Sequence, residues 1–144
     1  MLRSDEAAPT RPQPGLSDLD ELLLGFRAAR LQISFEELGM PRRALPAGAE
    51  LTAYRIIQEA LTNIMKHAGP HAGASVTLTW QGRGLALNIV DDGRGAAADP
   101  PAAGGGNGLR GMIERISLYD GSLTAGPLPG GGFRVSAFIP YSEA

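Results

Sequence analysis

The chain has 144 residues, 43% of them apolar, with a formal net charge of −2 and no cysteine. That length and apolar share suit one domain with its own core. The near-neutral balance argues against a general nucleic-acid surface, the lack of cysteine excludes disulfides and thiol chemistry, and no run of 18 apolar residues is present to span a bilayer.

Residues 1–16 carry Pro9, Pro12, Pro14 and Gly15 among polar residues. They read as a disordered leader or linker remnant, with upstream sequence expected before it, and leave 17–144 as the domain. Met1 to Glu6 lacks the apolar stretch of a signal peptide. Ser17 is the expected cap of a first helix, with acids in its first turn and Leu19, Leu22, Leu23 and Phe26 at i, i+3, i+4, i+7. That helix is expected to end near Arg30. Leu31, Ile33 and Phe35 alternate with polar residues, as in a strand buried on one face. Gly39 to Pro46 interrupts the order.

A long helix is predicted from about Gly48 or Glu50 to Ala68, stopped by Gly69-Pro70. Ile57, Leu61 and Ile64 form its apolar stripe, with Leu51, Ile56 and Ala60 nearby. Glu59, Asn63, Lys66 and His67 form a second line at i, i+4, i+7, i+8, on one face. Val76, Leu78 and Trp80 alternate, and so do Leu85, Leu87 and Ile89. The short link Gln81 to Gly84 makes these two strands an antiparallel hairpin. The second strand runs into Asp91-Asp92-Gly93-Arg94-Gly95. Ala96 to Gly106, rich in Ala, Pro and Gly, reads as a mobile loop or lid. A helix is expected from Gly108 to Tyr119, a strand at Gly121–Ala125, and a last strand carrying Phe133, Val135, Ala137 and Ile139 and closed by Pro140. Two hairpins with interspersed helices imply an α/β two-layer sandwich on a mixed or mostly antiparallel sheet.

The chemistry follows from position. A carboxylate at a strand end can accept a hydrogen bond from an exocyclic amine, and the glycines after it let backbone approach a planar ligand. Gly106-x-Gly108-x-x-Gly111 has dinucleotide spacing, but no opening βαβ unit surrounds it, and that reading is rejected. Glycines that lead into a helix instead leave amides free to hold phosphates. His67 and His71 are separated by Gly69-Pro70 and make a poor zinc site. Mg²⁺ needs few protein ligands when phosphates supply the rest, so Asn63 can contribute one while Glu59 can orient a water or accept a proton.

Tyr54 to Ala68 resembles the N box of sensor histidine kinases of the nitrate/nitrite-sensor and desaturase-sensor type. Asp91 to Gly95 resembles their first glycine box, Gly108 to Ile116 their second, and Gly130 to Val135 their closing glycine-rich hairpin. The resemblance covers about Leu16 to Pro140. It implies the ATPase fold shared with gyrase-type and mismatch-repair ATPases, a mixed five-stranded sheet with three helices. It implies Mg-ATP as the bound nucleotide. By position, Glu59 would be general base, Asn63 the Mg²⁺ ligand, and Lys66 and His67 neighbours of the phosphates. Asp91 would bind the adenine amine, and Gly93 and Gly95 would shape its pocket. Gly108, Leu109, Arg110, Gly111 and Met112 would wrap the triphosphate, under a lid from Ala96 to Asn107. The family's acceptor histidine lies in an upstream dimerisation helix, and neither His67 nor His71 has that context. The chain is therefore expected to be a catalytic half that acts on a separate dimerisation and phosphoacceptor domain, for relay to a response regulator, in the cytoplasm even if the parent protein is membrane-anchored. An anti-sigma-factor serine kinase of the same fold and a non-catalytic nucleotide-binding module are the alternatives.

Overall fold

Alternation of apolar and polar residues builds the middle of the sheet. The computed structural model describes residues 13–67, 73–91, 103–129 and 131–141, and for 103–109 the backbone alone. In β2 (Gly73–Trp80), Ala74, Val76 and Leu78 are buried, and in β3 (Gly84–Asp91) Leu85, Leu87 and Ile89 are. These strands pair antiparallel, Leu78 opposite Leu87. The Gln81 N–H closes the hairpin on the Gly84 carbonyl. β5 (Phe133–Pro140) continues the pattern with Val135, Ala137 and Ile139, and pairs with both β3 and β4 (Ser122–Pro127). β1 (Gln32–Leu38) lies parallel to β2 at the far edge, which gives the order β1-β2-β3-β5-β4. The sheet is mixed and mostly antiparallel, as expected.

Three helices supply the second layer. α1 (Leu19–Ala28) buries Leu19 and Leu23, with Leu22 and Phe26 half-buried beside them. α2 (Ala47–His67) is the central helix and packs against α1, α3, β2 and β3. Ile56, Ile57, Leu61 and Ile64 are buried on it, and each contributes roughly 1.5–3 kcal/mol by leaving water. α3 (Ala103–Ser117) anchors through Ile116, with Met112 and Tyr119 half-buried. α1 and α3 close alike. Arg30 (φ 79°) and Asp120 (φ 62°) adopt left-handed backbone, and the N–H groups of Leu31 and Gly121 reach back to the carbonyls of Phe26 and Ile116.

Two local expectations need correction. Ser17 does not cap α1, because a 3-10 turn over Leu16–Asp18 precedes the helix. Gly15 donates its N–H to the Asp18 carboxylate, and the Asp18 N–H returns to the Gly15 carbonyl. The Leu16 N–H also donates to Glu50 of α2 at 3.0 Å. Secondly, α3 begins at Ala103, five residues before the expected Gly108. The last proline before this helix is Pro101, so none within 103–117 blocks helical hydrogen bonding. Residues 103–107, expected within the lid, are therefore helical, and 96–102 lie outside the described residues.

Topology fixes the ends of the domain. β1 and β2 are parallel, and α1 and α2 lead into their starts, so both helices run toward the same end of the sheet. Ala74 pairs with Asp91, so β3 finishes at that end, and α3 starts from it. The opposite end is cross-tied. The Trp80 and Tyr141 rings stack with centroids 6.4 Å apart, and the Trp80 indole N–H donates to Glu37 at 2.7 Å. The Arg42 N–H donates to the Tyr141 hydroxyl, and its guanidinium to the Gly82 carbonyl.

Candidate nucleotide site

The inward alternation of β3 runs Leu85, Leu87, Ile89, Asp91, so a carboxylate takes the last place on the helix-facing side. Asp91 is 7% exposed, and among the described residues it is the only buried charged side chain. It is not without a partner inside the fold.

α2 brings the polar line to the same end. Glu59 and Asn63 are half-buried one turn apart, and Lys66 and His67 are exposed in the last turn. Five residues join His67 to Gly73, a link that spans at most roughly 20 Å. Strand end and helix end are thus held near one another by connectivity and by the Ala74–Asp91 pair. Of the second glycine box, Gly108, Leu109, Arg110, Gly111 and Met112 all lie in α3. Arg110 is exposed, while Gly111 and Met112 are half-buried. Gly93, Gly95 and His71 lie outside the described residues.

Gly111 carries a further signal. A Cβ placed there would meet no atom of the described residues within 4 Å. Glycine inside a helix costs roughly 0.5–1 kcal/mol relative to alanine, and no packing within the described chain calls for it. Gly25 in the middle of α1 is in the same position. It borders a groove of about 450 Å³ between α1 and α2, lined also by Leu22, Phe26, Glu59 and Met65. Sequence reading passed over this groove. Gly25 was its one visible mark, an isolated glycine in a helical pattern.

Among the described residues no three His, Cys, Asp or Glu side chains cluster to hold a metal. An all-protein metal cage is therefore not what this donor set offers. A single amide oxygen at Asn63 beside Glu59 suits a hard ion that takes its other ligands from phosphates and water. No helix among the described residues is long and apolar enough to cross a membrane.

A mixed five-stranded sheet with three helices on one face, and a buried acid at the end of β3, defines a two-layer ATPase fold. Solved structures share it. The mycobacterial sensor histidine kinase MprB superposes with a TM-score of 0.61 at 20% identity, covering 87% of this chain and 94% of that one. The blue-light activated histidine kinase of Erythrobacter litoralis EL346 gives 0.65 at 19% identity, covering 90% and 46%. Residues 48–143 match the family of Histidine kinase-, DNA gyrase B-, and HSP90-like ATPases, and the chain belongs to it. Among curated relatives, Sensor histidine kinase YxjM of Bacillus subtilis is 34% identical over 110 residues, 76% of this chain and 26% of that protein. The histidine-protein kinase/phosphatase UhpB of Salmonella typhimurium is 41% identical over 98 residues, 67% of this chain and 18% of that protein. The chain thus spans about a quarter or less of the length of these relatives.

Proposed function

We propose that this chain is the catalytic, ATP-binding part of a two-component sensor histidine kinase. It transfers the γ-phosphoryl group of Mg-ATP to a histidine on a separate helical domain, from which a response regulator receives it. The observation that carries this reading is Asp91, a buried acid on the core face at the end of the sheet toward which α2 runs with Glu59 and Asn63. The family match and the identity to two histidine kinases support it.

In this mechanism Asp91 accepts a hydrogen bond from the adenine amine and fixes the purine. Gly93 and Gly95 shape the pocket around it. Gly111 leaves the space that a side chain would take beside the triphosphate, and Gly108, Leu109, Arg110 and Met112 follow that chain of phosphates along α3. Asn63 would hold Mg²⁺, and the ion when bound neutralises phosphate charge. Lys66 and His67, exposed at the end of α2, offer positive charge and hydrogen bonds to phosphate oxygens. Glu59 takes the proton from the acceptor imidazole as its nitrogen bonds to the γ-phosphorus and the bond to ADP breaks.

The test is incubation with γ-labelled ATP and the parent's histidine-bearing helical domain, followed by acid treatment. Label that appears on the helical domain and is lost in acid is the expected result. Acid-stable label on serine of an added partner would favour the serine-kinase alternative and overturn this one.

A further inference from the structure

Asp91 has a strand on either side of it. Val90 pairs with Arg134 across β3 and β5, and the next step of that register sets Asp91 opposite Phe133. Opposed residues of an antiparallel pair stand on the same face with Cβ atoms roughly 4.5–5.5 Å apart. Here that face is the core face. Asp91 ends the inward series Leu85, Leu87, Ile89, and Phe133 begins the series Val135, Ala137, Ile139. Phe133 packs against the core and stays half-buried. β5 runs antiparallel to β3, so its first residue lies at the end where β3 finishes, the end assigned to the nucleotide.

The turn before β5 fixes the place of the ring. Gly131 and Gly132 have φ of 110° and 98°, which other residues rarely adopt. The Leu128 N–H donates to the Gly132 carbonyl at 2.9 Å, and the Gly131 N–H to the Leu128 carbonyl at 3.1 Å. Asp91 is thus flanked by hydrocarbon on both strands, by Ala74 on β2 and by Phe133 on β5.

A carboxylate only accepts hydrogen bonds. An exocyclic amine on a base satisfies it, and an exocyclic carbonyl opposes it. A water that donates to both oxygens removes that opposition. Selection of amine over carbonyl therefore depends on whether a water can be held between them. A site for water needs space and two or more polar partners, and a phenyl ring fills the space and supplies no partner.

We propose that Phe133 sets the base selectivity of the site: it denies Asp91 a bridging water, and so favours a purine with an exocyclic amine over one with a carbonyl. This rests on the kinase reading above, which gives Asp91 to the base, and adds the residue that makes that contact selective.

The experiment titrates ATP and ITP, which carries a carbonyl where ATP has the amine, into the 144-residue chain by calorimetry. Urea midpoints confirm that each variant is folded. The wild-type chain should bind ATP tighter than ITP by about tenfold or more. Phe133→Ala makes room for a water, and Phe133→Thr adds a hydroxyl to hold it. Both should bring the two affinities to within about threefold, with ITP gaining on ATP. Phe133→Leu keeps a hydrocarbon wall and should keep the wild-type ratio. Adenosine and inosine should follow the same ratios, since the phosphates take no part. An unchanged ratio in folded Phe133→Ala and Phe133→Thr would overturn the proposal and leave Asp91 and the kinase reading standing. Equal losses of ATP and ITP in all three variants would make Phe133 a structural residue and also overturn it. A wild-type chain that binds no ATP would overturn both readings.

Discussion

Asp91 pairs directly with Ala74 across the β2–β3 hairpin. The buried carboxylate therefore has a methyl group as its cross-strand neighbour on β2. Asp91→Asn keeps the shape and replaces one acceptor oxygen by a donor amide. A lost charge-assisted hydrogen bond costs roughly 1.5–3 kcal/mol, about ten- to a hundredfold in affinity. ATP binding to the folded variant should weaken by that factor, read by titration calorimetry, with Asp92→Asn as control. Affinity within twofold of the parent would remove Asp91 from the purine site.

Asn63 is half-buried one turn beyond Glu59 on α2. If its amide oxygen holds Mg²⁺, Asn63→Ala should erase the gain in nucleotide affinity that Mg²⁺ confers. Adenosine binding without metal should stay nearly intact. Equal losses with and without Mg²⁺ would assign Asn63 another role.

The strands were legible because one face of each is buried, which writes period two into Val76, Leu78, Leu85, Leu87 and Ile89. The apolar stripe of α2 was legible for the same reason at period 3.6. The parallel pairing of β1 with β2 was not, since register between distant strands leaves no local pattern. The start of α3 was hidden by Gly104, Gly105 and Gly106, whose low helix propensity reads as loop. The clamp of Leu16 on Glu50 joins residues 34 apart, which no local rule detects. Spacing and strand position single out Asp91, Glu59 and Asn63 as candidates, whereas the α1–α2 groove depends on how two helices meet.

Two glycines should respond to the same substitution with opposite signs. A Cβ on Gly84 would run into the Ile139 carbonyl and come within 2.6 Å of the Pro140 Cα, both on the backbone of β5. Gly84→Ala should lower stability by roughly 1–3 kcal/mol through overpacking. Gly111→Ala meets no atom of the described residues and should raise stability by roughly 0.5–1 kcal/mol. It should nonetheless weaken ATP binding, because the methyl group enters space assigned to the triphosphate. Urea midpoints and ATP titrations on both variants check this, and a Gly111→Ala protein with unchanged ATP affinity would remove Gly111 from the site.

The first turn of α3 holds three glycines in sequence, Gly104 to Gly106. On propensity alone they cost roughly 3 kcal/mol relative to alanines, so this turn should open more readily than the turn around Ile116, which is fully buried. Amide exchange at 104–107 should be fast in the free protein and slow down on adding ATP. Adenosine should change it much less, since it brings no triphosphate. Slow exchange without nucleotide would show that the turn is anchored independently of the phosphates.

Glu59→Gln tests whether binding and chemistry separate as proposed. Glu59 is half-buried on α2. Glu59→Gln preserves size and hydrogen-bonding reach but cannot take up a proton at neutral pH. General-base catalysis contributes roughly a hundred- to ten-thousandfold, so transfer to the added histidine should fall by at least a hundredfold while ATP affinity changes little. The 144-residue chain alone should bind Mg-ATP and remain unlabelled, because His67 closes α2 among the residues assigned to the phosphates and the sequence around His71 does not resemble an acceptor motif. Supplied in trans, the acceptor should be labelled slowly, since a covalent linker would otherwise raise its effective concentration to the millimolar range. Strong acid-labile labelling of the isolated chain would overturn the need for a separate acceptor. A Glu59→Gln protein with full transfer would move the base elsewhere.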